Sequence, residues 1–455
     1  MTDTFSSSGQ GETSPEITTD EPVVDAEHPR TFSFGRRSRP DKKESHISEV
    51  LSASKPQSNF LRESLTSPLS NYYMILISTT LLTALGLVMV LSSSSVFAAA
   101  TGHTAYYYVI RQTIFLMAGI PLVWWLGRWS AKRMKFVATP AIILAMVLLI
   151  TTLVIGSDQG KGNQNWIVLG PISVQPSELA KPAMILWAAM VWSANRKRLH
   201  ELKTLMSPVV IVSGLLIGLV LFQRDLGTAA IMCMILFALL YFVGASWKVL
   251  AGLGAAGGLL VLVMVLISPN RVDRIFAFLG HESASVGSTD QPLSAIYALA
   301  SGGWFGLGLG ASRQKWGFLY DGAHNDFIFA VIGEEMGLLG TMMVVILFSI
   351  LGYAGYRVAL RATTLFDGVI AAGVTTWILF QAIVNICMAM RILPVIGIPL
   401  PFISYGGSAL VSCLIGIALL ISCARRHPDA QKQLLRNRQS RRARVSSIVD
   451  KGSSR

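Results

Sequence analysis

The chain has 455 residues, of which 52% are apolar and only 14% charged, with a mean hydropathy of +0.54 and a formal net charge of +13. That balance excludes a water-soluble globule and describes a polytopic membrane protein, because its apolar runs are near the length that crosses a hydrocarbon core. The basic excess does not imply nucleic acid, since it sits in tails and short loops, where membrane topology explains it.

Residues 1–70 are rich in Ser, Thr, Glu, Asp and Pro and lack the apolar content for a core, so they read as a disordered cytoplasmic tail. No signal peptide is visible, and the first apolar run should serve as an uncleaved anchor. Apolar runs follow at about 73–95, 107–127, 136–156, 177–195, 207–223, 227–244, 247–268, 338–356, 367–390 and 402–424. They predict an all-α integral membrane domain of ten transmembrane helices over 71–424, with a large extracytoplasmic loop between helices seven and eight. Residues 425–455 form an Arg-rich tail, expected to be cytoplasmic and disordered. With the N-terminus inside, the inner segments hold 29 of the 38 Lys and Arg residues, which satisfies the positive-inside rule with both termini cytoplasmic.

Cys233, Cys387, Cys413 and Cys423 all fall inside these spans without metal-ligand spacing, so they read as small core residues rather than a disulfide or zinc set. There is no Walker loop, dinucleotide fingerprint or duplicated half, which argues against ATP-driven pumping and a repeat-built transporter.

Several polar segments remain that a bilayer should exclude. Arg111, in helix two, either lines a cavity or snorkels to an interface. Between helices three and four a Gly-rich loop gives way at Gln175-Pro176-Ser177 to a helix that begins with Glu178 and Lys181. Ser177 reads as its N-cap, and Glu178 suits the positive helix end. Three residues apart, Glu178 and Lys181 share a face, which suits a local ion pair and, compatibly with it, Lys181 offering a cation to a phosphate. Arg224-Asp225, at the sharp break between helices five and six, reads mainly as a structural pair at a turn.

The stretch 269–325 is too long for a passive connection, and carries amphipathic pieces near 272–280 and 292–300 followed by Gly-rich turns. His324-Asn325-Asp326 follows where apolar sequence resumes, then Glu334-Glu335. A carboxylate at the mouth of an apolar span is costly and so marks a functional site, although Asp326 could also cap helix eight. On a continuous helix Asp326 and Glu334 would face roughly one direction; Glu334 and Glu335 otherwise read as structural. Finally, Pro399 to Ser408 packs Pro and Gly into apolar sequence, which means a re-entrant or broken helix start, serving either substrate binding or packing.

The motifs QPSELAK at 175–181, DLGT at 225–228, GLGASRQKWGFLYDGAHNDFIFAVIGEEMG at 308–337 and PFISYGGS at 401–408 resemble the SEDS family (shape, elongation, division and sporulation) of cell-wall polymerases. The resemblance spans all ten helices, and the form of the third motif is similar to the division branch rather than the elongation branch. It implies a peptidoglycan glycosyltransferase that polymerises lipid II at the outer face of the cytoplasmic membrane, enriched at the septum. Asp326 would be the catalytic base, and Lys181, Glu178, Gln175, His324, Ser404, Gly406 and Gly407 would bind substrate, with Lys181 as the cation for the pyrophosphate. No cofactor is certain, but a divalent Mg or Mn ion could assist; the metal ligands are unknown. The implied partners are a class B penicillin-binding protein transpeptidase, other divisome membrane proteins and membrane lipids. The alternatives are a lipid II flippase using the same acids, or a non-enzymatic divisome scaffold. The chain departs from the family pattern at Asn165, where an arginine is usual before Trp166, at Arg224, where proline commonly precedes Asp225, and at Ala409, where a second hydroxyl often follows Ser408. Asn165 removes a phosphate anchor that Arg224 could replace.

Overall fold

The computed structural model describes residues 69–157, 164–170, 172–199, 201–267, 290–317 and 322–433, with isolated positions among 272–278, at 319 and over 435–439. The N-terminal tail, the amphipathic piece at 272–280 apart from isolated positions, and most of the C-terminal tail lie outside the described residues. Helices α1 (Ser70–Ala100), α2 (Tyr107–Leu126) and α3 (Ala131–Ile155) come first, then a small hairpin of β1 (Ile167–Leu169) and β2 (Ile172–Val174). The others are α4 (Pro176–Ala194), α5 (Val209–Phe222), α6 (Leu226–Val243), α7 (Trp247–Leu266), α8 (Asp290–Ser301), α9 (Ile328–Leu360), α10 (Leu365–Ala389) and α11 (Gly407–Arg426).

Among the described residues, nine helices are long and apolar enough to cross a membrane. They correspond to nine of the ten expected spans. The tenth, α4, is continuous but too polar to qualify, because Glu178 and Lys181 lie in its first two turns. Protein surrounds it instead: α4 packs against α3, α10 and α11, and both charged side chains are almost fully buried. A helix that faces no lipid is free to carry charge, provided the charges are partnered.

The centre of the bundle is built from α4, α10 and α11, with α9 packed on α1 and α10, and α2 on α11. By contrast α7 buries only Leu250 and packs on α6, leaving Leu259, Leu262 and Leu266 facing outward as lipid-facing residues do. At the end of the bundle that carries the C-terminus, Arg426 pairs with Asp367, its Nε donating at 2.9 Å, and its Nη1 donates to the Trp129 carbonyl at 3.1 Å. The C-terminal tail begins as helix rather than disorder, with residues 428–433 helical and Ala430 buried.

Two expected helix starts are revised. Helix eight begins at Ile328 rather than 338, as a half-helix that breaks at Gly337 before the membrane-crossing part continues. Gly337 has φ 68°, and a Cβ there would lie 2.4 Å from the Gly306 nitrogen, so only glycine fits both the backbone and the space. The loop carbonyls of Gly303 and Trp304 accept from the Leu338 and Leu339 N–H groups, satisfying donors that the break releases. Helix ten begins at Gly407, after an irregular stretch in which Phe402 holds φ 66°. The broken start read from Pro399 to Ser408 is therefore present. Helix α8, the amphipathic piece near 292–300, packs against α9.

Candidate active site

The β1–β2 hairpin pairs Ile167 with Val174 and Leu169 with Ile172, which brings Gln175, just after β2, near Asn165, two residues before β1. Both donate to the same carboxylate oxygen, Oδ2 of Asp225, at 2.9 Å. Asp225 is also the N-cap of α6, accepting from the Thr228 N–H at 3.0 Å and the Thr228 hydroxyl at 2.8 Å. The Asp225 carboxylate thus knits the hairpin to α6, a larger part than a turn pair with Arg224 would give it. Arg224 itself is exposed and is not part of the cavity wall described below, so it does not occupy the place of the missing arginine.

Pro176 begins α4, and its N-cap is Gln175 rather than the expected Ser177, which is buried within the first turn. The Gln175 N–H donates to the Ser408 hydroxyl at 3.1 Å, joining α4 to α11. Lys181 is 1% exposed: its Nζ donates to Glu178 Oε1 at 2.8 Å and to Gln381 Oε1 at 3.1 Å, and it lies 5.1 Å from the centre of the Trp377 ring. Glu178 in turn accepts from the Ser412 hydroxyl at 3.2 Å. Both sequence readings of Lys181 described its position; the structure realises the ion pair.

Asp326 lies in the turns that precede α9, not on the helix, and the N-cap of α9 is Phe327. Asp326 and Glu334 therefore do not share a helix face. Glu334 and Glu335 are both 1% exposed and turn toward the Gly-rich loop. Glu334 accepts from the Ser312 hydroxyl at 2.5 Å and the Arg313 N–H at 2.8 Å, while Glu335 accepts from Lys315 Nζ at 3.0 Å and from Ser92. Their structural reading holds: two buried carboxylates fix the loop 302–316 to the half-helix.

The backbone around Asp326 is held from the opposite side by the 396–406 stretch and α10. The Tyr405 N–H donates to the His324 carbonyl at 2.9 Å, the Ser404 hydroxyl donates to the Asn325 carbonyl at 2.6 Å, and Asn385 Nδ2 donates to the Asp326 carbonyl at 2.8 Å. The His324 ring, 3% exposed, sits among Phe97, Tyr108 and Tyr405 at centroid distances of 5.0, 5.0 and 5.7 Å.

These segments enclose one cavity of about 580 Å³. Its wall includes Asp326, Lys181, Glu178, Gln175, His324, Gly406 and Gly407, so seven of the eight sequence-derived site residues meet there. Ser404 is the exception. Its hydroxyl donates to Asn325 and accepts from the Leu400 N–H at 2.8 Å, so it shapes the loop rather than the cavity. Gly407 allows α11 to approach α2, since a Cβ would lie 2.3 Å from the Phe115 ring. The sequence reading left unassigned Asp225, Asn165 and Arg111, all of which line the cavity. Arg111 Nη1 donates to the Tyr107 hydroxyl at 3.3 Å, one turn earlier on α2. The signal for Arg111 was present, an arginine within an apolar span, but its direction depends on how α2 packs.

The beginnings of α4, α6 and α11 all contribute to this wall, so three helix N-termini border one volume, that of α6 capped by the Asp225 carboxylate. With Arg111 they favour an anionic group, while Asp225, Asp326 and Glu178 offer carboxylates nearby. The site couples an anion-attracting floor to an acid suited to accept a proton.

The family profile described as "Cell cycle protein" (FtsW, RodA, SpoVE) matches residues 72–428. The "Probable peptidoglycan glycosyltransferase FtsW" of Mycobacterium tuberculosis is 34% identical over 364 residues, covering 80% of this chain and 69% of the relative. "Stage V sporulation protein E" of Bacillus subtilis is 33% identical over 355 residues, covering 77% and 96%. Among solved structures, a chain from work on the structural coordination of polymerization and crosslinking by a peptidoglycan synthase complex superposes with a TM-score of 0.64 at 27% identity, covering 78% of this chain and 98% of that one. The match runs from the first membrane helix to beyond the last and includes every segment of the cavity, so this multi-pass membrane protein belongs to the FtsW/RodA/SpoVE family, the SEDS proteins.

Proposed function

We propose that this chain is a peptidoglycan glycosyltransferase, with lipid II as its substrate and Asp326 as the general base. The observation that carries the assignment of Asp326 is its place in the wall of a cavity shared with Arg111 and three helix N-termini. In the reaction, the acceptor 4-hydroxyl gives its proton to the Asp326 carboxylate as its oxygen bonds to the donor anomeric carbon. The bond from that carbon to the pyrophosphate oxygen breaks, and undecaprenyl pyrophosphate leaves with both electrons. A pyrophosphate needs no strong acid to depart, but its charge needs a positive environment. Arg111 and the starts of α4 and α11 supply it, because Asp225 already caps α6 and Glu178 and Gln381 already engage the Lys181 ammonium.

A divalent cation is a further part of this proposal. Among the described residues no three His, Cys, Asp or Glu side chains converge as a metal set. A Mg or Mn ion would be held by substrate phosphate oxygens with the Asp326 carboxylate, because Asp225 already accepts four hydrogen bonds. Loss of activity on chelation, restored by Mg or Mn, supports it; full activity in excess chelator sinks it. The active face is extracytoplasmic and both termini are cytoplasmic, consistent with the Lys and Arg distribution. A class B penicillin-binding protein is the proposed partner, and division the proposed setting, because similar proteins carry the FtsW name and one structural neighbour comes from a synthase complex.

The test is polymerisation of fluorescent lipid II by purified protein in vesicles with substrate on one side. Asp326→Asn is expected to lower the rate by at least about 100-fold, within the range for removing a general base. Retained polymerisation by a folded Asp326→Asn protein overturns the assignment, and transport without glycan chains in the parent protein overturns the enzyme reading.

A further inference from the structure

We infer that Gln381 and Asn385, one turn apart on α10, are positioning residues that fix the proposed base Asp326 relative to the Glu178–Lys181 pair. The inference rests on the reading of Asp326 given above. Both amides are fully buried, and their spacing places them on one face of the helix. Asn385 Nδ2 donates both its hydrogens, to the Asp326 carbonyl at 2.8 Å and to the Ile398 carbonyl at 2.7 Å. Gln381 Nε2 donates to the Pro399 carbonyl at 3.0 Å, and its Oε1 accepts from Lys181 Nζ at 3.1 Å and from the Trp377 indole at 2.9 Å. A continuous polar chain results: Glu178, Lys181, Gln381, the backbone at 398–399, Asn385 and the backbone of Asp326.

The chemistry requires amides at these positions. Asp326 precedes α9, so its carbonyl is not one of the ladder acceptors of a regular helix and takes its hydrogen from Asn385. The 396–399 stretch lines the same cavity and belongs to no helix or strand, so its carbonyls also rely on side chains. An apolar replacement of Asn385 strands two buried carbonyls, and one of Gln381 strands the Pro399 carbonyl together with the Lys181 and Trp377 donors. Neither residue is in the cavity wall, so their influence on the reaction passes through the groups they hold. A shift of about 1 Å in the Asp326 backbone moves the carboxylate off line with the acceptor hydroxyl, a displacement worth on the order of 100-fold in rate.

The experiment compares full-length parent, Asn385→Ala, Gln381→Met, Asp326→Glu and Asp326→Glu/Asn385→Ala proteins in vesicles with fluorescent lipid II, together with their thermal unfolding. Asn385→Ala is expected to lower kcat by about 10- to 100-fold with KM within about 3-fold, the signature of a misplaced group rather than lost binding. In the Asp326→Glu background, where the carboxylate is already displaced, the same substitution is expected to cost less than about 3-fold, while its effect on unfolding is unchanged. Gln381→Met is expected to show the same split, and it carries the test alone if Asn385→Ala does not fold. Full kcat in folded Asn385→Ala or Gln381→Met, or equal kcat losses from Asn385→Ala in both backgrounds, overturns the inference. An active Asp326→Asn protein removes the base assignment itself. An inactive Asp326→Asn beside a fully active Asn385→Ala removes only the positioning role.

Discussion

Lys181→Met separates a charge that binds substrate from a charge that holds the bundle together. In the structure the ammonium sits 2.8 Å from Glu178 Oε1, and the two side chains are 1% and 3% exposed. Removing Lys181 leaves the Glu178 carboxylate buried beside the Ser412 hydroxyl, which donates to it at 3.2 Å. Breaking one side of a buried pair costs about 3–5 kcal/mol, because the remaining charge is uncompensated. Replacing both partners, Lys181→Met with Glu178→Gln, removes the charge altogether and should recover all but about 1–2 kcal/mol. The assay is unfolding of the parent, both single variants and the double variant in one lipid composition, read as a double-mutant cycle, with KM for lipid II measured alongside. The double variant is expected to keep KM within about 10-fold of the parent, since Glu178 and Gln381 already engage the ammonium. Unchanged stability in Lys181→Met, or a KM rise of about 100-fold or more in a fully stable double variant, refutes this reasoning and returns Lys181 to the role of phosphate anchor.

Arg111→Gln is expected to raise KM by about 10- to 100-fold with a smaller change in kcat, the scale of one charge-assisted hydrogen bond; an unchanged KM would remove Arg111 from substrate binding. Gly337→Ala is expected to destabilise the protein by at least about 1–3 kcal/mol, because it strains a left-handed backbone and drives a methyl group against the Gly306 nitrogen. A parent-like unfolding midpoint would show that the break in α9 tolerates a side chain.

Some of the site could be read along the chain and some could not. Asp326, Lys181, Glu178 and the glycines of the PFISYGGS segment stand out because each is polar or flexible where apolar helix is expected. Asn385 and Gln381 give no such signal, since a lone amide within an apolar span reads equally as a packing detail. Their partners are carbonyls at 326, 398 and 399, and two of those lie close in sequence but on an irregular loop. Asp225 was visible as a polar break, yet its bonds to Asn165 and Gln175 depend on a hairpin of three-residue strands too short to be read from periodicity. Asp326 and Glu334 would share a face only on one continuous helix, and whether that helix includes Asp326 is decided by the tertiary structure, which starts it at Ile328.

The sequence by itself determined the solvent, the approximate place of nine spans among the described residues, and the family, because hydropathy and motif order are properties of the chain. Tertiary structure decided which charges face each other. It withdrew Lys181 into a pair with Glu178, turned Arg111 toward the cavity and set α4 where no lipid reaches it. The physical reason is that a buried charge is tolerated only with a partner, and the partners of Lys181 and Asp225 include groups from distant segments that meet only when the helices pack, as does the Asn385 amide that holds the Asp326 backbone.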